Sequence, residues 1–110
     1  MSKTTRMLTA APDGTTNSEV VHCQRSKDET GIVQAKRSAD TVGWGTGLLV
    51  QGRASSLCGW FTLTSFVDAD FDTDPNGGLT YAEVVQLFPQ MRIVSAAQNG
   101  GGTVDAWLIE

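Results

Sequence analysis

Met91-Arg92-Ile93-Val94-Ser95-Ala96 and Thr103-Val104-Asp105-Ala106-Trp107-Leu108-Ile109-Glu110 are two alternating runs around Gln98-Asn99-Gly100-Gly101-Gly102. A period of two places Met91 and Ile93 on one face of the first run. It places Val104, Ala106 and Leu108 on one face of the second, so each run offers an apolar row to a core. Asn99 and the three glycines after it supply the positive φ that a tight connection needs, and the pair reads as a β-hairpin.

The same reading extends towards the N-terminus. Ser18–Arg25, Gly31–Arg37, Trp44–Arg53 and Gly59–Val67 are strand candidates. In the third, Trp44, Thr46, Leu48 and Val50 share a face; the fourth sets Trp60, Phe61, Leu63 and Phe66 among threonines, a strong β composition. Ala54-Ser55-Ser56-Leu57 is turn-like. Tyr81–Met91 fits two templates. Val84, Leu87, Phe88 and Met91 fall at helical spacing, yet Val84-Val85 favours a strand and Pro89 caps any helix at about two turns. Residues 1–19 are rich in Ser and Thr, carry the turn signal Pro12-Asp13-Gly14 and show no period. The expected fold is all-β: a single antiparallel β-sandwich, jelly-roll-like, over residues 20–110, with residues 1–19 as an extended polar N-terminal arm.

The chain has 110 residues and a formal net charge of −4. That length is one domain able to bury a core without staples. The acidic balance argues against a general nucleic-acid binder, and no apolar run is long enough for a membrane helix. Met1–Thr9 lacks the apolar core of a secretory signal. Residues 1–53 hold seven basic and five acidic side chains; residues 54–110 hold one basic residue, Arg92, and seven acidic ones. Four of those acids fall in 68–74, a solvated loop by the simplest reading. The unlike halves also suit docking on a charged lattice or stacking with copies of the chain. Cys23 and Cys58 form no CxxC and have no partner cluster, so they read as half-buried thiols rather than zinc ligands.

Asp72-Thr73-Asp74-Pro75-Asn76-Gly77-Gly78-Leu79-Thr80-Tyr81-Ala82-Glu83 resembles an EF-hand calcium loop over all twelve positions. Calcium takes six to eight hard oxygen ligands. The resemblance implies side-chain ligands from Asp72, Asp74 and Asn76, a backbone carbonyl from Gly78, Thr80 directly or through water, and a bidentate Glu83. The flanks prefer strands before the loop and no second loop is present, so a calcium site inside a β-domain is the form this reading takes. The competing reading is an acidic Pro-Asn-Gly-Gly turn that binds nothing.

No catalytic residue is assigned. His22, the only histidine, lies in an alternating apolar run, and no nucleophile elbow accompanies it. Gly43-Trp44-Gly45-Thr46-Gly47 lacks the following Lys-Ser/Thr of a phosphate loop. No enzyme activity is expected and no cofactor beyond the candidate calcium.

From Asp40 onward, about two-thirds of the chain resembles small β-sandwich virion proteins of tailed bacteriophages, which are capsid-associated or accessory structural proteins. The matching residues are Gly43-Trp44-Gly45-Thr46-Gly47-Leu48-Leu49-Val50-Gln51-Gly52, then Gly59-Trp60-Phe61-Thr62-Leu63. The ending also matches, with Met91-Arg92-Ile93-Val94-Ser95 and Gly102-Thr103-Val104-Asp105-Ala106-Trp107-Leu108-Ile109-Glu110. The 68–78 segment and the N-terminal third depart from that pattern. The resemblance implies a non-enzymatic virion structural protein, a capsid decoration (cement) or head-associated protein. It implies binding to the major capsid protein lattice or other virion proteins, self-association as a homo-oligomer, and assembly into virions in the host cytoplasm. Neither nucleic acid nor membrane is an expected partner.

Overall fold

A computed structural model describes residues 3–11, 15–23, 29–38, 47–71, 79–96 and 102–110. They form β1 (Thr4–Ala11), β2 (Thr16–Asn17), β3 (Val21–His22), β4 (Thr30–Arg37), β5 (Leu48–Arg53), β6 (Phe61–Phe66), the single helical turn α1 (Asp68–Phe71), β7 (Thr80–Gln86), β8 (Gln90–Ser95) and β9 (Val104–Ile109). The first sheet has the order β1-β9-β4-β7. The second has the order β2-β8-β5-β6, with β3 also paired to β8. Every pairing is antiparallel. The chain is therefore an antiparallel β-sandwich, as its alternating runs predict.

The ladders are nested. β5 pairs β6, β4 pairs β7, β2 and β3 pair β8, and β1 pairs β9. Each pair encloses the one before it in sequence, so the chain runs out and back like one long hairpin folded across two sheets. The pairs β4·β9 and β5·β8 then join the layers of that hairpin edge to edge.

Alternation builds the core. β4 buries Val33 and Ala35; β9 buries Val104, Ala106 and Leu108; β5 buries Leu48 and Val50; β8 buries Met91 and Ile93. Phe66, Phe71 and Leu87 fill the space between these rows. Each of these side chains other than Ala35 and Ala106 contributes about 1.5–3 kcal/mol through removal from water. β5 begins at Leu48 because Gly47 adopts φ 74° and its missing Cβ leaves room for the Phe66 carbonyl. The Gly47 carbonyl accepts the Ala96 N–H at 2.9 Å, tying the start of β5 to the end of β8. Leu48 and Val50 face the core as expected; Trp44 and Thr46, expected on the same face, lie outside the described residues.

Five expectations change. The runs 91–96 and 103–110 do not form a hairpin: β8 lies in the second sheet and β9 in the first. Residues 80–86 form a strand, which settles the double reading of Tyr81–Met91. Of the strand expected over 18–25, the described residues keep only Val21–His22 as β3; β2 lies just before it, residues 18–20 are not in a strand, and residues 24–25 lie outside the described residues. Ser18 sits in the break between β2 and β3: its N–H donates to the Ile93 carbonyl at 2.7 Å and its Oγ accepts the Ile93 N–H at 2.8 Å. The 1–19 segment contributes β1 to the first sheet and β2 to the second, and Met7 and Leu8 are in the core. A core boundary at residue 20 therefore cuts through structure already paired. Of the two thiols, Cys23 is buried and Cys58 is exposed, and no disulfide joins them.

Candidate functional site

The two long sides of the sandwich differ. On one side β6 and β7 close the seam. Thr64 Oγ1 donates to Glu83 Oε1 at 3.1 Å, and the Phe66 and Tyr81 rings meet edge-on at 4.9 Å. Phe61 meets Phe88 edge-on, also at 4.9 Å. On the other side, β1 of the first sheet faces the β2–β3 segment of the second across a cleft of about 140 Å³. Thr5, Arg6, Met7, Glu19, Val20 and Val21 line it.

The edge of β1 beside this cleft has a definite polarity. Glu110 N–H donates to the Lys3 carbonyl at 2.8 Å, and the register continues as Thr4 opposite Ile109, Thr5 opposite Leu108 and Arg6 opposite Trp107. Hydrogen-bonded and non-bonded pairs alternate in an antiparallel ladder. Thr4 and Arg6 therefore turn their backbone N–H and C=O away from β9, towards the free side of β1. Among the described residues no strand pairs that side. The Arg6 guanidinium lies 5.5 Å from the Trp107 ring and donates to Asp105 Oδ1 at 2.6 Å. Thr5 Oγ1 is buried without a hydrogen-bond partner in the same strand.

The outer face of the first sheet continues from this edge with an apolar row. Ile109, Ile32 and Val84 stand side by side on β9, β4 and β7. Ile32 is 40% exposed and Val84 64%. A solvent-facing row of this kind, rather than scattered single residues, marks a surface suited to contact.

Of the calcium-loop residues, Asp72, Asp74, Asn76 and Gly78 lie outside the described residues. Thr80 and Glu83 are both in β7. They are three apart in a strand, so their side chains leave opposite faces of the sheet. Glu83 faces the seam, where it accepts hydrogen bonds from Thr64 and, at 3.4 Å, from the Tyr81 hydroxyl. Burial, followed by the negative charges of Glu83 and Asp70, pushes the Tyr81 pKa up. The loop's N-terminal root is anchored: Phe71 is fully buried, with the Arg37 guanidinium 4.7 Å from its ring. Among the described residues no three His, Cys, Asp or Glu side chains gather in one place. His22 is exposed at the end of β3, opposite Gln90.

Sequence reasoning missed the cleft because its walls come from segments far apart in the chain. The signal available was slight: Arg6-Met7-Leu8 brings two apolar residues into an otherwise polar stretch. No family model matches the chain, and no curated protein or solved structure matches it either.

Proposed function

We propose that this chain is a non-enzymatic virion structural protein of a tailed bacteriophage, a capsid decoration or head-associated protein. It binds the major capsid lattice along the free edge of β1. The observation that carries this reading is that edge, which no strand pairs among the described residues, with Thr4 and Arg6 presenting backbone groups beside the cleft. A partner strand laid there gains main-chain hydrogen bonds without specialised side chains. The antiparallel sandwich is compatible with the reading, since double-sheet β-domains recur among viral capsid proteins. Fold alone does not set function, so the edge and not the topology carries the argument. The apolar row Ile109–Ile32–Val84 adds contact area on the adjoining face.

Co-sedimentation with capsids assembled from the major capsid protein of the same genome tests this. The full chain is expected to pellet with capsids at a saturating ratio set by lattice symmetry. Thr4→Pro removes an outward N–H at an edge position where proline is tolerated. It is expected to leave the melting temperature nearly unchanged and weaken pelleting at least tenfold. A wild-type chain that stays in the supernatant, or a Thr4→Pro chain that pellets like wild type, overturns the respective half of the proposal.

A further inference from the structure

Arg92 is the only Lys or Arg in residues 54–110, a half that carries seven carboxylates. Among the described residues it forms no ion pair with any of them. β8 sets it opposite Gln51 of β5, while Arg53 of β5 stands opposite Gln90 of β8. The two arginines are diagonal neighbours on the outer face of the second sheet, a relation that brings Cα atoms to about 7–8 Å. Both guanidiniums lie against one indole, Arg53 at 4.2 Å and Arg92 at 4.6 Å from the Trp60 ring.

The neighbours hold this pair in position. Arg53 Nε donates to Gln90 Oε1 at 2.7 Å, and Arg92 Nε donates to Gln51 Oε1 at 2.8 Å. Gln51 Nε2 in turn donates to Thr62 Oγ1 on β6 at 3.2 Å. Each guanidinium is thus fixed at Nε by an amide and on one plane by an aromatic ring. Their Nη groups carry no hydrogen bond and no ion pair to the described chain. Two like charges brought together on a rigid sheet, with their forked donors unused, are the complement of a doubly charged anion. A carboxylate offers one charge; a phosphate-type group offers close to two, with three strong acceptor oxygens. Arginine suits this task through its planar fork, which a lysine does not reproduce.

We propose that Arg53, Arg92 and Trp60 form a binding site for a phosphate-type dianion on the outer face of the second sheet. Gln51 and Gln90 are its positioning residues. The site lies on the other sheet from the β1 edge and the apolar row, so it is independent of the proposed capsid contact.

The test is a titration of the full-length chain with inorganic phosphate at constant ionic strength, followed by NMR. The signals read are the Trp60 indole N–H, assigned with Trp60→Phe, and the Arg53 and Arg92 Nε–H. A second titration uses acetate. Saturable shifts of all three signals with phosphate are expected by about 10 mM, an order above the millimolar scale of weak sites. Acetate is expected to move them at least tenfold less effectively. The double variant Arg53→Lys/Arg92→Lys keeps both charges and is expected to lose at least tenfold in phosphate affinity. Three results overturn the proposal: no saturable shift in the wild-type chain, equal response to acetate, or a folded lysine variant that binds as well as wild type. The wild-type titrations decide the first two without any variant.

Discussion

Thr64 on β6 donates its hydroxyl to the Glu83 carboxylate on β7, and this bond joins an edge strand of one sheet to an edge strand of the other. The Tyr81 hydroxyl reaches the second oxygen of the same carboxylate. One seam of the sandwich is thereby held by a polar clasp over packed aromatic rings, and the opposite seam is left open at the β1 cleft. The clasp makes Glu83 structural at a position where the calcium-loop pattern would make it a ligand.

Glu83→Gln therefore tests both roles. Hydrogen bonds to a charged acceptor are worth about 1.5–3 kcal/mol, and the amide retains part of that. A loss of about 1 kcal/mol is expected, or roughly 4 °C in the melting temperature of a domain this size. Adding calcium in the millimolar range is expected to leave the wild-type melt unchanged, because Glu83 is already committed and Thr80 faces away. A calcium-dependent rise that Glu83→Gln abolishes would instead assign the carboxylate to an ion.

Tyr81 gives a pH signature. Its folded-state pKa lies above the ordinary value of 10.0, first through burial and then through the charges of Glu83 and Asp70. The unfolded chain consequently releases this proton at lower pH than the folded one. The stabilisation is complete below pH 10.0 and is lost as pH rises above it through the folded-state value. Tyr81→Phe is expected to flatten that alkaline decline in urea melts. An unchanged decline in the variant would remove Tyr81 as its source.

Ser18→Ala removes the hydroxyl that accepts the Ile93 N–H at the break between β2 and β3. Ile93 is buried, so its amide is left without a partner at a cost of about 1–3 kcal/mol. Hydrogen exchange is expected to accelerate at Ile93 more than at other β8 amides. Uniform exchange along β8 would show that the hydroxyl is not what holds that break.

Leu8→Ala tests whether β1 is part of the fold. Leu8 is 3% exposed and joins the same core as Leu108 and Ile93. A buried Leu→Ala change costs about 2–5 kcal/mol. A drop of that size in urea melts is expected. A variant as stable as wild type would mean that residues 4–11 sit on the sandwich without supporting it.

Much of the fold was legible in particular residues. The alternation in Leu48–Arg53, Met91–Ser95 and Val104–Ile109 places the core faces correctly, because a period of two follows from strand geometry alone. The β class follows as well, since Val, Ile, Thr and aromatic residues fill those runs. Tyr81–Gln86 was ambiguous because Val84, Val85 and Leu87 satisfy both periods; pairing with β4 on the exposed edge of the first sheet decides it. Residues 91–96 and 103–110 carried a strong hairpin signal, and the tertiary structure set it aside. Alternation says which side chains turn inward, yet it is the same whether a strand joins one sheet or the other. The nested ladders then draw β8 to β5 and β9 to β4, which buries Ile93 and Leu108 from opposite sides of one core.

Residue pattern alone is enough to make this chain a β-domain, to mark the apolar faces of Leu48–Arg53, Met91–Ser95 and Val104–Ile109, and to show its unevenly divided charges. Strand partners were set by long-range contacts. The tertiary structure drew the polar N-terminus in as β1 because Met7 and Leu8 had a core to enter. It sent Thr80 and Glu83 to opposite faces, and it brought Arg53, Arg92 and Trp60 together from three different strand regions. The reason is physical: side-chain period is a local property, whereas sheet membership and edge exposure depend on contacts between residues distant in the chain, whose energies no short window contains.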